Sequence, residues 1–181
     1  GPTATAVPGY DLRIQYWTSR GFAYLDVNYR GSMGYGTGYR KALEGKWGIY
    51  DVDDCVNGAQ HLVDAGLVDP RRIAIRGGSA GGFTVLSAIT RSTVFTAASS
   101  CFGVTDLKRL VRTTHKFESH YIGQLVGTQD IDDPVLDERS PINHIEDIGV
   151  PLLLIQGSED PIVPAEQATA MYEDLKEAGA P

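Results

Sequence analysis

The chain has 181 residues, enough for one domain that buries about 70% of its unfolded surface. A hydrophobic content of 42% and a charged content of 22% are typical of a globular protein. The formal net charge of −7 argues against nucleic-acid binding, which needs clustered lysine and arginine. No apolar run reaches the ~20 residues of a membrane span, so we expect neither a nucleic-acid nor a membrane partner.

The first 66 residues contain two predicted helices and one predicted strand. The stretch "LRIQYWTSRG" (12–21) is predicted as a helix that stops at Gly21, and "FAYLDVN" (22–28) is predicted as a strand rich in aromatic and branched residues. Residues 51–66 place apolar side chains at spacings of three and four, which predicts a helix ending at Gly66.

Strand and helix patterns continue to alternate after residue 66. The further predicted elements are a strand over 72–77, a helix over 80–91, strands over 95–103 and 151–157, and a helix over 165–179. The less regular residues 104–150 are expected to form helices and loops that cover the active edge of the sheet. Alternation of this kind predicts an α/β fold, with a mostly parallel sheet and helices on both faces.

Acidic residues and cysteines are interpreted without a metal or a cofactor. Asp51 and Asp53 suit the positive end of a helix dipole, and no histidine or cysteine partners them at ligand spacing. Cys55 and Cys101 lie in separate predicted elements, which is weak evidence for a disulfide. We interpret both cysteines as buried and reduced, as expected of a cytoplasmic protein.

The stretch "IAIRGGSAGGFTVL" places Ser79 between a predicted strand and a predicted helix. Gly77 and Gly81 complete the pattern G-x-S-x-G, in which small neighbours let strand and helix approach around a strained turn. Such a turn exposes the serine hydroxyl at the carboxyl end of the sheet, with the Ala80 N–H aimed at an oxyanion. The alternative, a phosphate-binding loop, fits neither G-x-G-x-x-G nor the Walker A pattern, so we predict Ser79 as a nucleophile.

A serine nucleophile needs a base and an acid that orients it, in the chain order Ser, Asp or Glu, His. Asp160 follows the predicted strand 151–157 and is the predicted acid, although it can also simply cap the turn before Pro161. Its neighbour Glu159 is interpreted as a solvated loop charge. All four histidines precede Asp160, namely His61, His115, His120 and His144. We therefore expect that the catalytic histidine, and the last strand before it, lie beyond Pro181.

Six segments in order resemble the catalytic domain of the prolyl oligopeptidase family of serine peptidases, and its acylaminoacyl-peptidase-like branch in particular. They are "LDVNYRGSMGYG" (25–36), "KWGIYDVDDC" (46–55), "GLVDPRRIAIRGGSAGG" (66–82), "THKFESHYI" (114–122), "SPINHIEDI" (140–148) and "LLLIQGSEDPIVP" (152–164). The resemblance implies an α/β-hydrolase fold, with Ser79 as nucleophile and Asp160 as triad acid. The opening "GP" resembles the end of the family's His-Gly-Gly-Pro segment, which implies the Gly1 and Ala80 N–H groups as oxyanion donors.

The resemblance further implies that residues 1–181 form a single partial hydrolase domain, without the β-propeller of the family. It implies hydrolysis of short peptides or acyl-peptides through an acyl-enzyme by the full-length parent, this chain alone being inactive. An esterase or a dienelactone-hydrolase-like enzyme on the same fold is the alternative within hydrolases. A non-catalytic fragment that forms homo-oligomers or swaps strands through an open sheet edge is the alternative outside them.

Other residues near the predicted site are given structural interpretations. Tyr29 and Arg30 line the site or support it, and an ion pair between Arg30 and a helix acid is favoured. Phe117, Glu118 and Tyr121 are candidate walls of a specificity pocket, but aromatic residues at helical spacing are more typical of a core.

Overall fold

The computed structural model describes residues 2–113 and 116–180, and their side chains except those of 116–119. The helices are α1 Leu12–Thr18, α2 Thr37–Lys41, α3 Tyr50–Asp64, α4 Ala80–Arg91, α5 Leu107–Thr113, α6 Lys116–Val126, α7 Pro134–Glu138 and α8 Ala165–Glu177. The strands are β1 Ala74–Gly78, β2 Ala97–Cys101 and β3 Leu152–Ile155, and a 3₁₀ helix spans Pro141–Asp147.

The three strands form one sheet in the order β1-β2-β3, with both pairs parallel. Gly78 of β1 is paired in register with Cys101 of β2, which is paired with Ile155 of β3. The three strands therefore end level with one another, at one edge of the sheet. The predicted parallel sheet is confirmed.

Helices lie on both faces of this sheet, as predicted. A side chain at Gly77 would point at the backbone of Gly81 in α4, so Arg76 points to the opposite face because strand side chains alternate. There the Arg76 guanidinium lies 5.8 Å from the ring centroid of Trp17 in α1. The fold is a small parallel α/β sheet with α4 on one side and α1 on the other.

The buried side chains form two clusters that share helix α4. One joins α3, α4, β2 and α8, and contains Val52, Ala59, Val85, Leu86, Ala88, Ile89, Phe95, Ala98, Ile148, Met171 and Leu175. The other lies toward the carboxyl ends of the strands and contains Leu43, Trp47, Ala80, Phe83, Val104, Leu107, Leu110, Ile122, Leu125, Val126, Leu136 and Val163. Phe83 is fully buried, one turn after Ser79, so the second cluster anchors the serine turn.

The predicted strand over 22–28 is wrong. These residues belong to no strand, because no neighbouring segment among the described residues forms a hydrogen-bonded ladder with them. Leu25 and Val27 instead pack on α3, where a methyl group at Gly58 would lie 3.1 and 3.3 Å from their side chains. The segment covers a helix without extending the sheet.

The remaining predicted elements are confirmed, with ends that differ by a few residues. Helix α3 ends before Gly66, which has a φ of 68° that favours glycine. Residues 104–150 form α5, α6, α7 and the 3₁₀ helix, as expected for a helical and irregular segment. Helix α2, which follows Gly36, was not predicted because five residues carry too little periodicity. None of the helices in the described ranges combines the length and apolarity needed to cross a lipid bilayer.

Candidate active site

Ser79 lies between β1 and α4 with a φ of 55° and a ψ of −122°. A positive φ is costly for a residue with a side chain, so the turn is strained in the way the G-x-S-x-G pattern predicts. Two hydrogen bonds hold the strained backbone: the Ser79 N–H donates to the Cys101 carbonyl at 3.0 Å, and its carbonyl accepts from the Phe83 N–H at 3.1 Å. The side chain is half-buried.

The two glycines of the pattern have different roles. A methyl group at Gly77 would lie 2.5 Å from the carbonyl carbon of Gly81, so strand and helix can approach only because residue 77 has no side chain. A methyl group at Gly81 would meet nothing within 4 Å. The close approach of strand to helix therefore depends on Gly77 and does not need a glycine at 81.

Phe102 is a second strained residue beside the serine turn, and the sequence did not reveal it. Its φ is 41°, although it is bulky, and its side chain is 44% exposed. Its ring fills the space where a side chain of Gly78 would lie, 2.9 Å from the added methyl position. The Phe102 N–H donates to the Ile155 carbonyl at 2.7 Å. The pattern of 95–103 indicated only a buried strand, and nothing in it signals a positive φ.

Of the two predicted oxyanion donors, Ala80 and Gly1, the structure describes only Ala80. Ala80 is buried, and it is the first residue of α4, so its N–H has no partner within the helix. A free N–H beside Ser79 at a helix start is suited to stabilising negative charge. Gly1, the other predicted donor, lies outside the described residues.

Asp160 lies in the loop after β3, at the edge of the sheet where β1 also ends. Its Oδ1 accepts from the Ile162 N–H at 2.9 Å and the Val163 N–H at 3.0 Å. Its Oδ2 has only a 3.5 Å contact with the Gln156 amide. Asp160 therefore caps its turn through one oxygen and leaves the other nearly unused, and the two backbone hydrogen bonds lower its pKa. Glu159 is exposed, as expected of a solvated loop charge.

None of the described histidines hydrogen-bonds to Ser79 or Asp160. The His120 Nδ1 lies 3.0 Å from the Gln129 Oε1, and the His144 Nε2 lies 2.7 Å from the Glu138 carbonyl. His61 is exposed on α3, and His115 falls outside the described residues. A histidine base for Ser79 is therefore not found among the side chains that the structure describes.

Arg30 forms the predicted ion pair with a helix acid, and the partner is Asp54 of α3. The Arg30 Nη2 lies 2.8 Å from the Asp54 Oδ1, and the Arg30 backbone N–H donates to the Asp54 Oδ2 at 2.7 Å. The guanidinium also lies 3.6 Å from the ring centroid of Tyr50. Tyr29 packs against the second buried cluster, and this burial raises the pKa of its phenol. Both residues support the segment before α2.

Tyr121 and Asp51 differ from the structural interpretations that the sequence favoured, whereas Asp53 agrees with its interpretation. Tyr121 is 40% exposed and is therefore not a core residue, whereas the side chains of Phe117 and Glu118 lie outside the described residues. Asp53 is exposed on the first turn of α3, as expected. Asp51 is instead fully buried, where it accepts hydrogen bonds from the Gly48 N–H and the Thr84 hydroxyl.

Both cysteines are free, as predicted, but the interpretation that they are buried is wrong, because each is only half-buried. Partial burial still raises the pKa of the Cys55 thiol to about 12. His144, Glu146 and Asp147 can each offer one ligand atom, and these atoms lie within 4.8 Å of one another. We assign no ion to them, because both carboxylates are exposed and the His144 Nε2 already faces the Glu138 carbonyl.

This geometry, a strained serine between a parallel strand and a helix with a carboxylate after the third strand of the same sheet, defines an α/β-hydrolase. The sequence pattern of the prolyl oligopeptidase family matches residues 8–181, and the chain belongs to that family of serine peptidases. A Mycobacterium tuberculosis puromycin-hydrolyzing peptidase is 46% identical over 100% of this chain and 28% of its own, with a TM-score of 0.97. The Pyrococcus horikoshii acylaminoacyl peptidase is 26% identical over 99% of this chain and 30% of its own, with a TM-score of 0.92.

Curated relatives agree with the structural neighbours. The acylamino-acid-releasing enzyme of Arabidopsis thaliana is 32% identical over 99% of this chain and 24% of its own length. Dipeptidyl aminopeptidase BIII of Pseudoxanthomonas mexicana is 31% identical over 100% of this chain and 27% of its own length. The chain thus spans about a quarter of the length of the relatives that it matches.

Proposed function

We propose that this chain carries the nucleophile, the acid and one oxyanion donor of a serine peptidase that hydrolyses short peptides or acyl-peptides. The observation that carries the proposal is the Ser79 turn, with its φ of 55° and its position at the start of α4. Similarity to acylaminoacyl peptidases and to a puromycin hydrolase that was solved in complex with PGG supports this substrate class.

In the proposed reaction, the Ser79 Oγ attacks the substrate carbonyl carbon while a base takes the hydroxyl proton. The oxyanion that forms is held by the Ala80 N–H, and by the Gly1 N–H as a second donor; one such donor contributes about 3 kcal/mol. The base then gives the proton to the leaving amine as the carbon–nitrogen bond breaks, which leaves an acyl-enzyme. Water releases the acyl group and returns the proton to Ser79.

Asp160 orients the base in this proposal. Its Oδ1 is committed to the Ile162 and Val163 N–H groups, so its nearly unused Oδ2 is the atom that accepts an N–H from the base. We propose a histidine outside the described residues as that base, in line with the triad logic of α/β-hydrolases. Free Cys55 and Cys101 support a reducing, cytoplasmic location.

The test is the intact mass of the folded chain after exposure to a fluorophosphonate, with circular dichroism to verify folding. We expect one adduct, formed slowly because no described histidine contacts Ser79, and located on Ser79 by peptide mapping. Ser79→Ala is the matched control and should remain unlabelled. Labelling that persists in Ser79→Ala, or a folded chain that never reacts, contradicts the proposal. Where turnover is measurable, hydrolysis of simple esters without aminoacyl amides would indicate an esterase instead.

A further inference from the structure

Asp51 is a fully buried carboxylate whose two oxygens are both engaged. Its Oδ1 accepts from the Gly48 N–H at 2.6 Å, and its Oδ2 accepts from the Thr84 hydroxyl at 2.5 Å. Thr84 lies on α4, four residues after Ala80. Burying a carboxylate is costly unless it is fully paired, so this arrangement is more than a charge at a helix start.

The Thr84 hydroxyl has a choice between two acceptors. The Ala80 carbonyl lies 3.3 Å from its oxygen, whereas the Asp51 Oδ2 lies at 2.5 Å. A hydroxyl has one proton, so the shorter bond takes it. Threonine hydroxyls that bond the carbonyl four residues earlier bend their helix. Asp51 therefore draws the Thr84 hydroxyl away from the first turn of α4.

The segment that contains Asp51 contacts α4 at two further points. The Arg91 Nη1 donates to the Gly48 carbonyl at 2.7 Å, near the end of the helix. A methyl group at Gly48 would lie 3.0 Å from the Phe83 ring, and Gly48 has a φ of 80° that suits glycine. The turn of residues 48–51 is thus fitted to the helix, and Asp51 adds a hydrogen bond to Thr84, whose hydroxyl also lies near the Ala80 carbonyl.

We propose that Asp51 is a positioning residue for the nucleophile turn: through Thr84 it holds the first turn of α4 so that the Ala80 N–H faces the developing oxyanion. This inference rests on the proposed roles of Ser79 and Ala80. Small misplacements of a catalytic group cost large factors in rate, so a bend at Ala80 weakens the reaction without changing the binding surface.

The test compares Asp51→Asn, Thr84→Val and their combination by the kinetics of fluorophosphonate labelling at Ser79. We expect the maximal labelling rate constant to fall about tenfold in each single variant, with the inhibition constant unchanged. The double variant should show no further loss, because both changes break one contact. Thr84→Ser keeps the hydroxyl and should retain the parental rate.

Ser87→Ala is the matched control on the same helix. Ser87 is buried, and its hydroxyl has no hydrogen-bond partner among the described residues, so its removal should leave the labelling rate unchanged. Parental labelling rates in both Asp51→Asn and Thr84→Val would overturn the inference. So would an equal loss in Ser87→Ala, which would indicate general loosening of the helix.

Amide hydrogen exchange separates failure of this inference from failure of the proposed function. In Asp51→Asn and Thr84→Val, exchange at the Phe83 and Thr84 N–H groups should accelerate at least tenfold, with little change beyond Ile89. If the unmodified chain is not labelled at Ser79, the proposed function fails, and the exchange data alone decide whether Asp51 positions the turn. Unchanged exchange in both variants overturns the positioning role.

Discussion

Gly77 faces the backbone of Gly81 so closely that a methyl group on Gly77 would lie 2.5 Å from the Gly81 carbonyl carbon. The contact is between a strand and a helix, and both are held by the buried clusters on either side of α4. Neither backbone can move away without disrupting the packing of the core. Residue 77 must therefore be glycine, whereas residue 81 has room for a side chain.

The first prediction follows from this asymmetry. Gly77→Ala should lower the free energy of unfolding by ~3 kcal/mol or more, because the added methyl group has no room. Gly81→Ala should be neutral or should raise it by up to ~1 kcal/mol, because alanine is the better helix former and its methyl group meets nothing. Urea denaturation of both variants measures the difference. Equal destabilisation by the two substitutions would contradict this account of the turn.

The second prediction concerns how the contribution of Asp160 to the free energy of unfolding changes as the pH falls. Two backbone N–H groups lower the pKa of Asp160, so its contribution to stability is present above the pKa of the unfolded chain and is lost as pH falls through the folded value. Asp160→Asn should therefore have a lower free energy of unfolding than the parent at neutral pH, and this difference should become smaller at acidic pH. Denaturant midpoints at pH 7 and at successively lower pH provide the measurement.

The exposed Glu159 offers a control for the pH experiment. No hydrogen bond to its carboxylate is found among the described residues, so Glu159→Gln should change the stability little at pH 7. If the difference in free energy of unfolding between Asp160→Asn and the parent stays constant with pH, the charge of the carboxylate does not stabilise the turn.

The third prediction concerns cysteine reactivity. Burial raises the pKa of Cys55 to about 12, and only the thiolate reacts readily. Alkylation of Cys55 at mildly alkaline pH should be at least about a hundredfold slower in the folded chain than in urea. Mass spectrometry of a Cys101→Ser variant isolates the Cys55 rate. Rapid alkylation of Cys55 in the folded chain would show that α3 opens often.

The fourth prediction concerns self-association. In the described sheet β3 is an edge strand, with Leu153 57% and Ile155 49% exposed. Edge strands that present apolar side chains tend to pair with other copies, so we expect the solution mass to rise with concentration. Ile155→Lys should suppress this rise, whereas Tyr172→Lys, at a similarly exposed position on α8, should not. A monomer mass for the parent at every concentration contradicts the expectation.

The sequence was informative where structure depends on neighbours along the chain. The Ser79 turn was predictable because its glycines, strand and helix are contiguous, and the same holds for α3 with its ending at Gly66. The segment 22–28 was mispredicted because a strand needs a paired neighbour, and local composition does not reveal one. The burial of Asp51 depends on Thr84, which is remote in sequence, so its carboxylate could not be distinguished from the exposed Asp53.

The level ends of the strands have a consequence for how this region tolerates change. Gly78, Cys101 and Ile155 share one row of the sheet, so the distance between the Ser79 and Asp160 turns is set by two strand spacings and is independent of the chain between them. The helices between β2 and β3 can therefore gain or lose residues while the reactive groups stay in place. A single residue inserted within β2 would instead shift its register with β1 and β3 and so move the two turns relative to each other. We expect substrate preference to diversify through α5–α7, and the chemistry to resist change.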